Sequence, residues 1–256
     1  TGTQLTAVGR ASLGAVTTGT GHVAMGMNAL STVTTGTNGT AVGFEAMKVA
    51  TGSNNTALGY QAGVAVSTGA TNTTVGSSAG NAITTGSNNL CLGVDAGIAS
   101  SPGGAVTTGS NQICLGDENV TNAHIQVDWT VASDGRDKTD ISELNSGLSF
   151  VNQLRPVTYR WDKRSHYSRD QNIVPDGKHK NGQLDVGFLA QDVSKLEENY
   201  GFSRGKKSNL ISSISEDGKM YGLKYNKFVP MLVNAVQELS EKVKELESKA
   251  HEKCNN

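Results

Sequence analysis

Charged residues are nearly missing from the first 116 of the 256 residues, which hold only Arg10, Glu45, Lys48 and Asp95. The formal net charge of the sequence is −1, so no excess of basic residues exists to attract nucleic acid or an anionic membrane surface. Long hydrophobic runs are also missing, because none reaches the roughly 18 residues of a membrane-spanning helix. No signal peptide is recognisable, and the sequence opens inside a repeat. We therefore expect the C-terminal piece of a longer protein that neither enters a membrane nor binds nucleic acid.

Cysteine is scarce as well, and the three present are Cys91, Cys114 and Cys254. They are too few and too scattered for a disulfide framework or a zinc site, so we expect no metal, no cofactor and folding in a reducing cytosol. One basic pair, Lys206 and Lys207, follows a segment that is one residue short of a phosphate-binding loop. The sequence leaves a nucleotide site at this pair open.

What the first segment does contain is a repeat. A triplet of a small residue, an aliphatic residue and Gly recurs, and its successive glycines are 17, 17, 16, 17, 17 and 23 residues apart. Thr-Gly pairs keep the same phase, Asn often precedes the triplet, and the last interval carries an insertion at Ser101–Gly104. One such unit buries too little apolar surface to be stable alone, so neighbouring units must stack. The pattern predicts an all-β repeat over residues 1–116, with about 17 residues per repeat.

Each triplet offers only one aliphatic residue, which makes a thin core for a single chain. Three chains wound about one axis, as a trimeric β-helix or β-prism, would give these residues a shared interior, whereas the alternative is a β-solenoid formed by one chain. The aliphatic residues concerned are Val8, Met25, Val42, Leu58, Val75, Leu92 and Leu115. The segment is similar to the repeat heads of trimeric autotransporter adhesins and to the shafts of phage tail fibres. That resemblance implies a homotrimer whose β-repeat contacts a host receptor or glycan.

The composition changes after the repeat. Residues 117–132 interrupt the period and are predicted to form a connector, and every Lys and Arg except Arg10 and Lys48 lies within residues 133–256. The sequence predicts an α+β domain over 133–256. Its elements are a helical spacing over 144–154, strand-like runs at 156–161 and 185–190, a short helix over 191–198 and a hairpin turning at Asp217-Gly218. A heptad seam then predicts a coiled-coil helix over 229–253. Its members are Val229, Leu232, Val236, Leu239, Val243, Leu246 and Ala250.

Four ordered motifs occupy this second segment. They are Ser133-Asp134-x-x-x-Lys138, Leu154-Arg-Pro-Val-x-Tyr159-x-Trp161, Gly187-Phe-Leu-Ala-Gln191-Asp-Val193, and Tyr221-x-x-x-Tyr225 leading into Val233-x-Ala-Val-Gln-Glu-Leu239. Together they resemble the C-terminal intramolecular chaperone domain of phage tail spikes and fibres, a self-cleaving endopeptidase domain also found in endosialidases and myelin regulatory factors. The resemblance implies that the domain trimerises, helps the preceding β-structure to fold, and cuts itself off between Ala132 and Ser133. The product would be a virion tail fibre that is folded and processed in the host cytoplasm.

The chemistry of the first motif suits this activity. A serine hydroxyl becomes a good nucleophile only when a base takes its proton, and a lysine can act as that base when its surroundings lower its pKa. Ser133 and Lys138 are the predicted nucleophile and base, and Asp134 is a possible orienting residue. Because Ser133 and Lys138 are five positions apart, an odd number, a straight strand would point their side chains to opposite faces, and Gly135 could supply the turn that brings them together.

Two other functional classes remain open at this point. A non-enzymatic adhesin would combine a trimeric repeat head with a coiled-coil stalk and would not cut itself. A membrane-tethered transcription factor released by the same cleavage would need a basic DNA-binding region, which the sequence lacks.

Overall fold

The computed structural model describes residues 2–144, 146–168, 172–202 and 209–254, so the basic pair Lys206 and Lys207 lies outside the described residues. The chain forms two compact units. The solenoid unit comprises residues 1–121, 162–181 and 214–220, and the C-terminal unit comprises residues 122–161, 182–213 and 221–256. Two stretches that follow the connector, 162–181 and 214–220, thus pack with the repeat, whereas the division expected from sequence follows chain order.

The repeat folds as a parallel β-solenoid with one three-residue strand per turn. Seven strands form a single sheet in sequential order, each paired in parallel with the next at the same position of the triplet. The strands are β1 Thr6–Val8, β2 Val23–Met25, β3 Thr40–Val42, β4 Thr56–Leu58, β5 Thr73–Val75, β6 Leu90–Leu92 and β7 Ile113–Leu115. This confirms the predicted all-β repeat of about 17 residues.

The interior of the solenoid is filled differently from the expectation of a thin core. From β2 to β6 the small residue of each triplet is buried, and Ala24, Ala41 and Ala57 are fully buried, whereas Ala7 of the first strand is exposed. Larger aliphatic side chains come from the opposite half of each turn, and five of them are no more than 2% exposed: Leu30, Val33, Val66, Ile83 and Val106. A single chain therefore has its own core, which the sequence analysis missed because these residues lie outside the triplet.

The aliphatic residue of the triplet lies on the outer face of the sheet instead. Met25, Leu58 and Leu92 are between 43% and 50% exposed, because side chains alternate between the two faces of a strand and the small residue before each one points inward. An apolar row thus runs along the sheet on the outside. The two cysteines of the repeat, Cys91 and Cys114, lie in register on β6 and β7 with free thiols, and Cys91 is buried.

The C-terminal unit is an α+β arrangement with short elements. They are α1 Gly147–Val151, β8 Val157–Tyr159, β9 Asp185–Gly187, α2 Ala190–Asn199, β10 Ser212–Ile214, β11 Tyr221–Leu223 and α3 Phe228–Cys254, where β10 and β11 form a hairpin whose tip, 214–220, belongs to the solenoid unit. The core of the unit contains Phe150, Val193, Leu196, Ile211, Phe228 and Met231. Among the described residues, no helix has the length and apolarity that crossing a membrane requires.

The long helix α3 confirms the predicted helix at 229–253 and has two different apolar faces. Phe228, Met231 and Ala235 are buried against the rest of the unit. The heptad seam lies on another face and is exposed, with Val236 at 62% and Leu239 at 51%. The start of the helix therefore packs on its own unit, while the seam is uncovered in the single chain.

Candidate functional site

The predicted nucleophile and base are in direct contact. Lys138 Nζ donates a hydrogen bond to Ser133 Oγ over 2.7 Å, although the two residues are five positions apart in the chain. A one-turn 3-10 helix at Gly135–Asp137 folds the chain back, with Lys138 N donating to the carbonyl of Gly135. The turn thus brings together the two side chains that an extended strand would have separated.

Asp134 organises this turn. Its carboxylate accepts a hydrogen bond from Arg136 N over 2.9 Å and forms an ion pair with the Arg136 guanidinium at 2.6 Å. These bonds to Arg136 lower the pKa of Asp134. The carboxylate is therefore bonded to the backbone and side chain of Arg136, within the turn between Ser133 and Lys138.

The turn expected at Gly135 is present and begins at this residue, but its geometry does not require glycine. A Cβ added to Gly135 would have no heavy atom within 4 Å, and this residue is not among the glycines with positive φ. The position therefore accommodates a side chain, and the Asp134 cap is what fixes the local geometry.

Ala132, Ser133, Asp134 and Lys138 are all exposed in the single chain. The connector before them is exposed too, and at Val127, Trp129 and Val131 the exposed fraction is 72%. The Ser133 hydroxyl and the Lys138 amine are therefore in contact but open to water.

Two carboxylates that no sequence pattern indicates join separate elements of the C-terminal unit through hydrogen bonds. Glu197 on α2 is fully buried and accepts hydrogen bonds from the backbone N–H groups of Ile211 and Ser212, at the start of the hairpin. Glu238 on α3 accepts from the N–H groups of Gly147 and Leu148 at the first turn of α1. On an amphipathic helix such residues look like ordinary solvated acids, so only the fold reveals their partners.

The comparisons with known proteins agree with this architecture. Residues 133–201 match a peptidase family described as chaperone of endosialidase, and the match begins at Ser133. It contains the first three motifs, whereas the stretch from Tyr221 to Leu239 lies beyond it. No curated protein matches the chain. Residues 133–201 are thus similar to a family that implies autoproteolytic chaperone activity, and the β-solenoid before them fits a tail fibre with a C-terminal chaperone domain.

Proposed function

We propose that the segment beginning at Ser133 assists the solenoid to fold as a homotrimer and then releases itself by cutting the Ala132–Ser133 bond. Ser133 Oγ attacks the carbonyl carbon of Ala132 while Lys138 takes the hydroxyl proton. The peptide C–N bond then breaks, the proton passes to the new amino group of Ser133, and Ala132 is held as an ester. Water hydrolyses the ester and leaves a carboxylate on Ala132.

The observation that supports this mechanism best is the 2.7 Å contact between Lys138 Nζ and Ser133 Oγ. In the neutral state of the amine, the same contact lets the hydroxyl donate to nitrogen, which is the geometry that proton abstraction needs. Lysine acts as a general base only where burial or neighbouring charges favour its neutral form, so we expect the dyad to need cover from other chains. Assembly of three chains is the step that we propose supplies this cover.

Intact mass measurement after expression tests the proposal. The wild-type chain is expected to give two fragments, 1–132 and 133–256, whereas Ser133→Ala and Lys138→Ala are expected to stay at full length. Gly135→Ala is the matched control, because the space at Gly135 is open and the turn should survive. Asp134→Ala removes the cap of the turn and should slow cleavage without abolishing the nucleophile or the base.

Cleavage at this bond in the Ser133→Ala chain would rule out the assigned nucleophile. A wild-type chain that remains intact while forming trimers would instead favour the non-enzymatic adhesin, a repeat head with a coiled-coil stalk.

We also propose that the released solenoid contacts a receptor or glycan on the host surface. One corner of the solenoid supports this role, because Phe44 and Tyr60 are the only Phe, Tyr or Trp residues before the connector and their rings stack with centroids 5.5 Å apart. Beside them, Glu45 accepts hydrogen bonds from Lys48 over 2.8 Å and from Gln61 over 3.0 Å, and these bonds lower its pKa. Exposed ring surface next to a carboxylate and an amide suits the C–H faces and hydroxyls of a sugar.

Binding of the uncut Ser133→Ala chain to a glycan array tests this assignment. Replacing both Phe44 and Tyr60 with Ala should remove binding, whereas Val94→Ala, at the equivalent position of a later turn, should leave binding unchanged. Equal binding by both variants would place the contact elsewhere.

A further inference from the structure

Each turn of the solenoid needs a following turn at its Thr-Gly corner. On the two turns before the last, a backbone N–H group at this corner donates to a carbonyl of the next turn. Ser67 N donates to Thr84 O over 2.8 Å, and Thr84 N donates to Thr107 O over 2.8 Å. Where the corner has two Thr residues, the donors converge, since Thr17 N, Thr18 N and Thr17 Oγ1 all reach Thr34 O within 3.2 Å. The corner of the last turn, Thr107-Thr108, has no later turn to supply this carbonyl.

Glu216 supplies the missing acceptor. Its Oε2 accepts from Thr107 Oγ1 over 2.8 Å, from Thr108 N over 3.2 Å and, at longer range, from Thr107 N and Thr108 Oγ1 over 3.4 Å. One carboxylate oxygen therefore receives the same kinds of donor, a Thr hydroxyl and two consecutive amides, that a carbonyl receives on the earlier turns. Burial raises the pKa of Glu216, but the hydrogen bonds from Thr107 and Thr108 outweigh burial and lower it.

The second oxygen of Glu216 closes the interior of the same turn. A column of buried amides runs through the solenoid, in which Asn89 Oδ1 accepts from Gln112 N over 3.0 Å. Gln112 is the last side chain of this column, and its Nε2 donates to Glu216 Oε1 over 3.3 Å. Both rows of hydrogen bonds that would otherwise end at the last turn thus end on one carboxylate.

Glycines at the last turn leave space for the hairpin tip, and hydrogen bonds within the tip fix the position of Glu216. Ser215 Oγ bonds to Asp217 and accepts from Met220 N, which fixes the tip on either side of Glu216. Gly104, within the insertion that lengthens the last interval, has φ +75°, and a Cβ there would approach Ser215 Cβ to 2.6 Å. A Cβ on Gly109 would collide with Glu216 Oε1. The insertion and both glycines therefore leave room for the tip.

We propose that Glu216 is the end cap of the solenoid and the template on which its last turn forms, standing in for the carbonyl of a turn that does not exist. This proposal rests on the proposed chaperone function and gives that function a molecular contact. Glu216 follows the Ala132–Ser133 bond in sequence, while the turn that it caps precedes it. Cleavage would therefore leave the cap bound only by non-covalent contacts, so that it can leave once folding is complete.

Hydrogen exchange of the uncut Ser133→Ala chain, followed by mass spectrometry, tests the cap. In Glu216→Ala, exchange at the amides of Thr107 and Thr108 should accelerate by about tenfold or more, because two hydrogen-bonded amides lose their acceptor. Gly109→Ala leaves residue 216 as Glu but displaces its carboxylate, so it should accelerate exchange at the same two amides. Glu216→Gln keeps one acceptor oxygen, so its exchange rates should fall between those of the uncut parent chain and those of Glu216→Ala. The matched control is Glu198→Ala, which removes an exposed carboxylate of α2.

Refolding from denaturant tests the template. Glu216→Ala should lower the rate at which the solenoid regains its β-signal several-fold relative to Glu198→Ala. Unchanged exchange at Thr107 and Thr108 in both Glu216→Ala and Gly109→Ala would overturn the cap, and an unchanged refolding rate would overturn the template. Neither result depends on proteolysis, because the chain carries Ser133→Ala. Failure of the wild-type chain to cut itself would therefore count against the proposed function while leaving the cap intact.

Discussion

Inside the solenoid, single polar side chains join one turn to the next by accepting a hydrogen bond and donating another. Asn55 Oδ1 accepts from Asn72 N over 2.8 Å, while Asn55 Nδ2 donates to Gly69 O over 2.8 Å. His22 links two turns in the same way earlier in the solenoid. Its Nδ1 accepts from Gly39 N over 3.0 Å, and its Nε2 contacts Gly36 O at 2.7 Å. The tautomer with hydrogen on Nε2 satisfies both partners, so His22 is a structural residue of the core.

This equivalence predicts the response to substitution at His22. Leu at this position would leave Gly39 N–H and Gly36 C=O buried without partners, at a cost of about 1–3 kcal/mol for each group. Asn, which fills the same position on later turns, should retain both hydrogen bonds and most of the stability. Thermal unfolding of the uncut chain, followed by circular dichroism, measures the difference.

Gly39 provides the internal check. A Cβ on Gly39 would come within 2.9 Å of His22 Nδ1, so Gly39→Asn should destabilise the wild-type chain. In a His22→Asn background the ring is gone, and Gly39→Asn should cost less or extend the amide column. Equal destabilisation in both backgrounds would contradict this account of the column.

For single residues, the sequence reveals the period of the repeat but not which side chains point into the core. Asn residues that precede the triplet look alike in sequence, yet Asn38 and Asn111 adopt positive φ at exposed corners, while Asn55, Asn72 and Asn89 are buried. A one-residue change of phase moves a side chain from the surface to the interior, and composition cannot distinguish the two. Ser133 and Lys138 can be proposed from sequence because their chemical types and their motif, rather than a buried face, single them out.

Among the elements, the sequence locates short elements but not always their ends. The pattern from Leu144 to Leu154 predicts one helix, but α1 covers only Gly147–Val151. Leu144 and Leu154 lie outside the helix and still pack on the same core, so their spacing reflects shared burial. The start of α1 is set by tertiary contacts, because Glu238 and the close approach of Gly147 to the α3 backbone at Ala235 fix its first turn.

The predicted hairpin is confirmed, with Ser215 N donating to Met220 O across the turn that contains Asp217 and Gly218. Turn chemistry is local, so the sequence suffices to place it. The partner of Glu216 is about a hundred residues away in the chain, and no local pattern indicates it. Residues whose role is a distant contact are therefore the part of the site that only the fold provides.

At the scale of the molecule, uncovered apolar surface occurs on both units. The outer row of the solenoid includes Met25 and Leu58, and the seam of α3 includes Val236 and Leu239. Exposed apolar surface of this extent and regularity is typical of surfaces that associate. Both rows repeat along an axis, at every turn of the solenoid and at alternating steps of three and four in the helix, which suits parallel association of identical chains.

Association and cleavage are therefore expected to be coupled. Leu239→Asp places a charge in the α3 seam and should block trimer formation without disturbing the core of the unit, because Leu239 is 51% exposed in the single chain. With Ser133 and Lys138 unchanged but open to water, such a chain should stay uncut. Glu241→Ala lies two residues further along the helix, on the opposite side, and should assemble and cleave normally. Light scattering gives the mass in solution and intact mass spectrometry gives the cleaved fraction of the same samples. A monomeric Leu239→Asp chain that cuts at the wild-type rate would show that the dyad needs no cover from partner chains. Cleavage would then be independent of assembly.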